Sequence, residues 1–143
     1  MAAGELGQHL PDDRLTLLPM VAPGTDARRL PSVLDGRGGF VYCVSVNGVT
    51  GTSAADAAAV RDSVERIRQH SDLPVCVGFG IRTAQQAGAV AAVADGVVVG
   101  SALVECLYTQ GIEAALRLTR ELTAELRPLS PDAAPSAPPR YPA

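Results

Sequence analysis

Lysine is absent from the 143 residues, and all twelve basic side chains are Arg. A Schiff-base aldolase mechanism requires an amine nucleophile, so no side chain here supplies one. Tryptophan is absent too and aromatics reach only 3%, which leaves Val, Leu, Ile and Ala to build the core. There is no basic block and the formal net charge is −3, so the concentrated positive patch that nucleic-acid binding needs is missing. Cys43, Cys76 and Cys106 form no CxxC pair. Each lies in or beside an apolar run, where a free thiol behaves as a small hydrophobe, and the set fits a reducing cytoplasm. No metal-ligand spacing is found, so no metal is expected. The N-terminal MAAGELGQHLPDD lacks a basic region and an apolar stretch and does not read as a signal peptide. No apolar run approaches the ~20 residues of a membrane helix, so a soluble, cytoplasmic protein with no membrane partner is expected.

Apolar residues make up 47% and charged residues 19%, a globular composition. Four short apolar runs stand out: 15–22, 40–45, 74–78 and 96–100. Their near-continuous hydrophobicity is that of parallel strands buried on both faces. Helical patterns lie between them. Thr25-Asp26 opens the first, which Pro31 should end or kink in its early turns. Ser53 and Asp56 open the second, running to about His70. Thr83 with Gln86 forms a capping box for the third. The fourth, 112–127, sets Ile112, Ala115, Leu116, Thr119, Leu122 and Leu126 at helical spacing. Residues 4–10 read as the end of a helix, and the Pro- and Ala-rich 128–143 as a disordered or extended tail.

Repeated βα units imply a parallel sheet with right-handed crossovers. Four units are half of a complete (β/α)8 barrel, and a flavodoxin-like open sheet is the competing architecture. The loops favour the barrel. Glycines follow three strand ends, at Gly48 and Gly51, at Gly78 and Gly80, and at Gly100 before Ser101. In a parallel βα sheet these ends share one face. Without a Cβ, backbone N–H groups at Gly51, Gly80 and Gly100 can approach an anion closely. Ser101 adds a hydroxyl and the start of a helix, where a phosphate is favoured. Barrel enzymes often hold phosphate after strands 7 and 8. If the four runs are strands 5–8, the GFG and GS turns fall there.

At these residues the chain resembles the tryptophan synthase alpha subunit family. Residues 40–45 (FVYCVS) followed by 48–51 (GVTG), 78–81 (GFGI), 96–102 (GVVVGSA) and 18–23 (LPMVAP) match family motifs in order. The similarity extends from about Gly4 to Arg127, which sets a half barrel of strands 5–8 over 1–127. The resemblance implies a lyase of tryptophan biosynthesis. Its family reaction is retro-aldol cleavage of indole-3-glycerol phosphate to indole and glyceraldehyde 3-phosphate, without metal or cofactor. It also implies that Gly51, Gly80, Gly100 and Ser101 hold the substrate phosphate. Tyr42 and Phe79 would flank the indole end, and Thr50 would belong to a loop that closes over the site. Tyr42 also fits a core role with its hydroxyl on a backbone partner, and Thr50 a role within its own turn. A beta subunit is the expected partner.

The family's acid and base, a Glu on strand 2 and an Asp in the loop after it, have no counterpart in these residues, so no catalytic residue is assigned. Asp26, Asp56, Asp62, Glu65, Glu113, Glu121 and Glu125 fall in helices or caps, and Asp35, Asp72 and Asp95 precede strands. His9 and His70 lie at helix ends. The expectation is a phosphate-binding half barrel, catalytically incomplete alone. The alternatives are a non-catalytic half barrel that self-associates through an open edge or docks on a beta-type subunit, or part of another phosphate-binding biosynthetic barrel.

Overall fold

The structure is a computed structural model that describes residues 16–22, 24–35, 38–45, 54–78 and 80–126. The expected helix end at 4–10 and the tail at 128–143 lie outside them. Four strands, β1 (Met20–Val21), β2 (Val41–Val44), β3 (Val75–Gly78) and β4 (Gly96–Val98), form one sheet in the order β1-β2-β3-β4. Every neighbouring pair is parallel. The helices are α1 (Leu30–Leu34), α2 (Ala54–Arg68), α3 (Ala84–Ala91), α4 (Ser101–Gln110) and α5 (Ile112–Ala124).

Strand register divides the sheet into two faces. Val21, Cys43, Val77 and Val97 align in one row, and Met20, Tyr42, Cys76 and Gly96 in the next. Side chains alternate between faces along a strand, so these rows point in opposite directions. The first packs with Val60, Val64 and Ile67 of α2, Ala87 and Val90 of α3 and Leu122 of α5 in a single core. The second row is absent from that core. Among the described residues, helices therefore seal one face of the sheet only. A doubly wound fold has helices on both faces and a strand order that reverses; sequential order with one covered face is the arrangement of a barrel wall. The open-sheet alternative is overturned, and the architecture is α/β, a partial (β/α) barrel.

Several local expectations are corrected. The run 15–22 yields only the two-residue β1. It lies at the sheet edge, and Pro19 has no N–H to donate, although its carbonyl accepts from Tyr42 N at 2.9 Å. Pro31 does not end a helix opened at Thr25. Asp26 instead organises a turn, its Oδ1 accepting from Arg28 N at 3.0 Å and its carbonyl from Arg29 N at 2.9 Å. Pro31 then sits in the first turn of α1, where its missing N–H costs nothing. The second helix begins directly after Ser53 as expected, but its cap lies outside the described residues. The Thr83–Gln86 capping box is present with both hydrogen bonds. On α5 the buried side chains are Ala114 and Leu122, with Leu118 and, just past its end, Leu126 partly buried against the core. Of the expected face Leu122 and Leu126 are thus borne out, while Ile112 and Leu116 are exposed and Ala114 and Leu118 take their place.

Asp95 ties the N-terminal ends of β3 and β4 together. Its Oδ2 accepts from Val75 N at 2.8 Å, and its own N–H donates to the Val75 carbonyl at 2.9 Å. Arg68 at the end of α2 adds an ion pair at 2.8 Å. The carboxylate is structural and lies on the face opposite the glycine turns, as its position before a strand implied.

Candidate functional site

The C-terminal strand ends are brought level by register. Val44 pairs with Gly78 and Gly78 with Val98, and Ser45 N donates to the Gly78 carbonyl at 3.0 Å. Gly80 and Gly100 each lie two residues beyond a paired end on adjacent strands. Gly80 has φ +77°, a left-handed conformation that L side chains adopt only at a cost. Ile81 beside it is buried and anchors the turn to the core. Gly100 is the N-cap of α4 and is exposed, and no atom lies within 4 Å of where its Cβ would stand. Ser101 opens the ten residues of α4 and is exposed. The first-turn N–H groups of a helix have no partner within it. Gly80, Gly100 and Ser101 thus share the open C-terminal face of β3 and β4, with donors suited to an anion.

The inner sheet face below is shaped by two glycines. A Cβ on Gly78 would stand 2.6 Å from Tyr42 Oη and 2.9 Å from Val98 Cβ. Tyr42 therefore lies across β3 with its hydroxyl over Gly78, at the level just below the glycine turns. Gly96 makes room for Cys76 in the same way, its Cβ position falling 2.7 Å from Sγ. Burial raises the Cys76 thiol above its ordinary 9.0, and the Asp95 carboxylate raises it further. Cys43, on the helix side, is raised by burial while Arg66 pulls it back. Neither thiol is poised as a nucleophile. Among the described residues no group of three metal-binding side chains occurs, and no helix is long and apolar enough to cross a membrane.

A family profile described as "Tryptophan synthase alpha chain" matches residues 1–130. The chain belongs to the tryptophan synthase alpha chain family. It is 51% identical over 122 residues to the tryptophan synthase alpha chain of Novosphingobium aromaticivorans, covering 85% of this chain and 46% of that one. It is 52% identical over 124 residues to that of a Caulobacter species, covering 87% of this chain and 43% of the relative. The chain thus spans less than half the length of these tryptophan synthase alpha relatives. Its fold is similar to the tryptophan synthase structure from Mycobacterium tuberculosis, with TM-score 0.69 and 43% identity over 80% of this chain and 43% of that chain. It is also similar to the alpha subunit from Campylobacter jejuni, with TM-score 0.67 and 31% identity over 76% and 44% of the two chains.

Of the seven site residues expected from the sequence, Tyr42, Gly80, Gly100 and Ser101 share the C-terminal side of the tryptophan synthase alpha sheet. Thr50, Gly51 and Phe79 lie outside the described residues. Sequence reasoning missed one link near these turns. Arg82, two residues past Gly80, donates from Nη2 to Glu105 Oε2 on α4, joining the loop after β3 to that helix by an ion pair. The partners are 23 residues apart and no local spacing signals them.

Proposed function

We propose that the chain is the phosphate-gripping half of a tryptophan synthase alpha barrel and binds the phosphate end of indole-3-glycerol phosphate. The observation that supports this reading is that Gly78 pairs with Val98, two residues before Gly80 and Gly100, and that Gly100 caps the ten-residue helix opened by Ser101. Backbone donors from these residues, and from Gly51 by family resemblance, hold the phosphate against the positive end of α4. Tyr42 and Phe79 flank the indole ring, and Thr50 belongs to the loop whose closure excludes water. The family reaction, retro-aldol cleavage to indole and glyceraldehyde 3-phosphate, needs an acid and a base. Of the described carboxylates, Asp95 is tied to Val75 and Arg68 at the N-terminal strand ends and Glu105 is paired with Arg82. Catalysis therefore requires the strand 1–4 half as well, and the assembled enzyme works in the cytoplasm with a beta subunit. The test is indole release by the chain alone and by the chain mixed with an N-terminal half barrel. Turnover is expected only in the mixture; robust turnover by the chain alone would overturn the assignment of the acid and base elsewhere.

A second reading is favoured by where apolar surface is exposed. Among the described residues the exposed large hydrophobics are Leu18 and Met20 at the β1 end and Val104, Leu107, Tyr108, Ile112 and Leu116 on α4 and α5. The middle units have none. Both ends of the array are surfaces of the kind that a neighbouring element covers, either a complementary half barrel or a second copy. Sedimentation velocity across a concentration series checks this: a single species at all concentrations would count against self-association.

A further inference from the structure

We propose that the Arg82–Glu105 ion pair is a clasp that holds the two phosphate turns at a fixed separation, making Arg82 and Glu105 positioning residues for the anion site. The inference rests on the phosphate reading above.

The geometry is one-sided in an informative way. The loop between β3 and α3 is held firmly: Ile81 is in the core, Arg82 N donates to Gln86 Oε1 at 2.7 Å, and Thr83 N donates to the same oxygen at 3.2 Å. The backbone of Arg82 is thus fixed by the capping box of α3, and only its side chain reaches out. The other turn is anchored from one side of α4 only, by Ala102, Leu103 and Cys106. Nothing packs where a Gly100 Cβ would stand, and the opposite side of the helix exposes Val104, Leu107 and Tyr108. Glu105 follows Ser101 by four residues, so both lie on one face of α4. An Arg82 side chain that grips Glu105 therefore restrains the rotation of α4 about its own axis, and with it the direction of the N–H groups at Ser101. Hydrogen bonds to an anion weaken steeply with distance and angle, so a small rotation of that helix costs affinity.

The alternative role for Arg82 is direct attraction of the phosphate, and the two roles give opposite signs for one variant. Glu105→Gln releases Arg82. If the pair is a clasp, binding weakens; if Arg82 acts as a free charge, binding tightens. Both side chains are more than half exposed, and such pairs add little to global stability, so loss of grip can be read apart from loss of fold.

The experiment titrates inorganic phosphate into the full 143-residue chain labelled with nitrogen-15, following the amide signals of Gly80, Gly100 and Ser101, with urea unfolding in parallel. Arg82→Ala and Glu105→Gln are each expected to raise the Kd by about 3- to 5-fold with the unfolding midpoint unchanged. The charge-swapped pair R82E/E105R is expected to recover wild-type affinity to within about two-fold. Tighter binding in Glu105→Gln, or an unaltered Kd in both single variants, overturns the clasp while leaving the phosphate site standing. Amides of the wild-type chain that do not respond to phosphate overturn the phosphate reading, and the clasp falls with it.

Discussion

On the helix-facing side of the sheet Val21, Val41, Val75 and Val77 are fully sealed, whereas across the backbone Met20 is 64% exposed and Tyr42, Val44, Cys76 and Val98 are only partly covered. The same four strands present both faces, so strand propensity does not account for the contrast. The sealed face is filled by helices and carries the apolar burial that stabilises the fold. The other face is stepped: glycines at 78 and 96 let Tyr42 and Cys76 lie across neighbouring strands. One face is built to exclude water and the other leaves shaped space beneath the glycine turns. Under the proposed function, stability and ligand contact fall on opposite sides of one sheet.

The contrast is sharpest for truncations. Ile67→Ala removes a fully buried side chain of α2 and is expected to cost about 2–5 kcal/mol, measured as a lowered urea midpoint. Gly78→Ala would fill the inner face, meeting Tyr42 Oη at 2.6 Å and Val98 Cβ at 2.9 Å. It is expected to cost about 1–3 kcal/mol, part of which returns in a Tyr42→Ala background because one of the two clashes is then gone. If Gly78→Ala proved harmless, the account of Tyr42 lying over β3 would fail.

The thiols extend the comparison to pH. Cys43 keeps its proton longer when folded than when unfolded, because burial lifts it above 9.0. The unfolded chain therefore releases that proton first, and stability falls as pH rises past the unfolded value. Unfolding at pH 7.5 and 10 should show a smaller alkaline loss in Cys43→Ala than in the wild type. At the far end of the scale, Met20→Ala on the open face is expected to change stability by no more than about 0.5 kcal/mol. A large cost there would mean that something covers the inner row.

Much of this organisation is legible in the sequence because parallel strands of a βα array read as unbroken apolar runs. The burial of both faces that such runs imply is met here on the helix side only, with Met20 exposed and Tyr42 and Cys76 partly covered. The residues of β2, β3 and β4 fall inside the expected runs, and Thr83 with Gln86 marks the start of α3. What sequence does not convey is direction and partnership. Both candidate faces of α5 carry apolar residues, and only packing selects Ala114 and Leu118 over Ile112 and Leu116. Edge position and Pro19 shorten β1, while Pro31 starts α1 because Asp26 has already turned the chain. The turns at Gly80 and Gly100 were readable from their glycines. The ion pair near them was not, since its two residues meet only when β3 and β4 align.

Cys43 and Cys76 stand on opposite sides of the β2–β3 ladder, where Tyr42 pairs with Cys76 and Cys43 with Val77. One thiol is sealed and the other half-open. That gives the chain a built-in chemical gauge. A thiol-specific label should reach Cys76 well before Cys43, and anything lying over the inner face should slow the first reaction and leave the second alone. The ratio of the two labelling rates then reports occupancy of that face in a crude mixture, with no substrate and no turnover required.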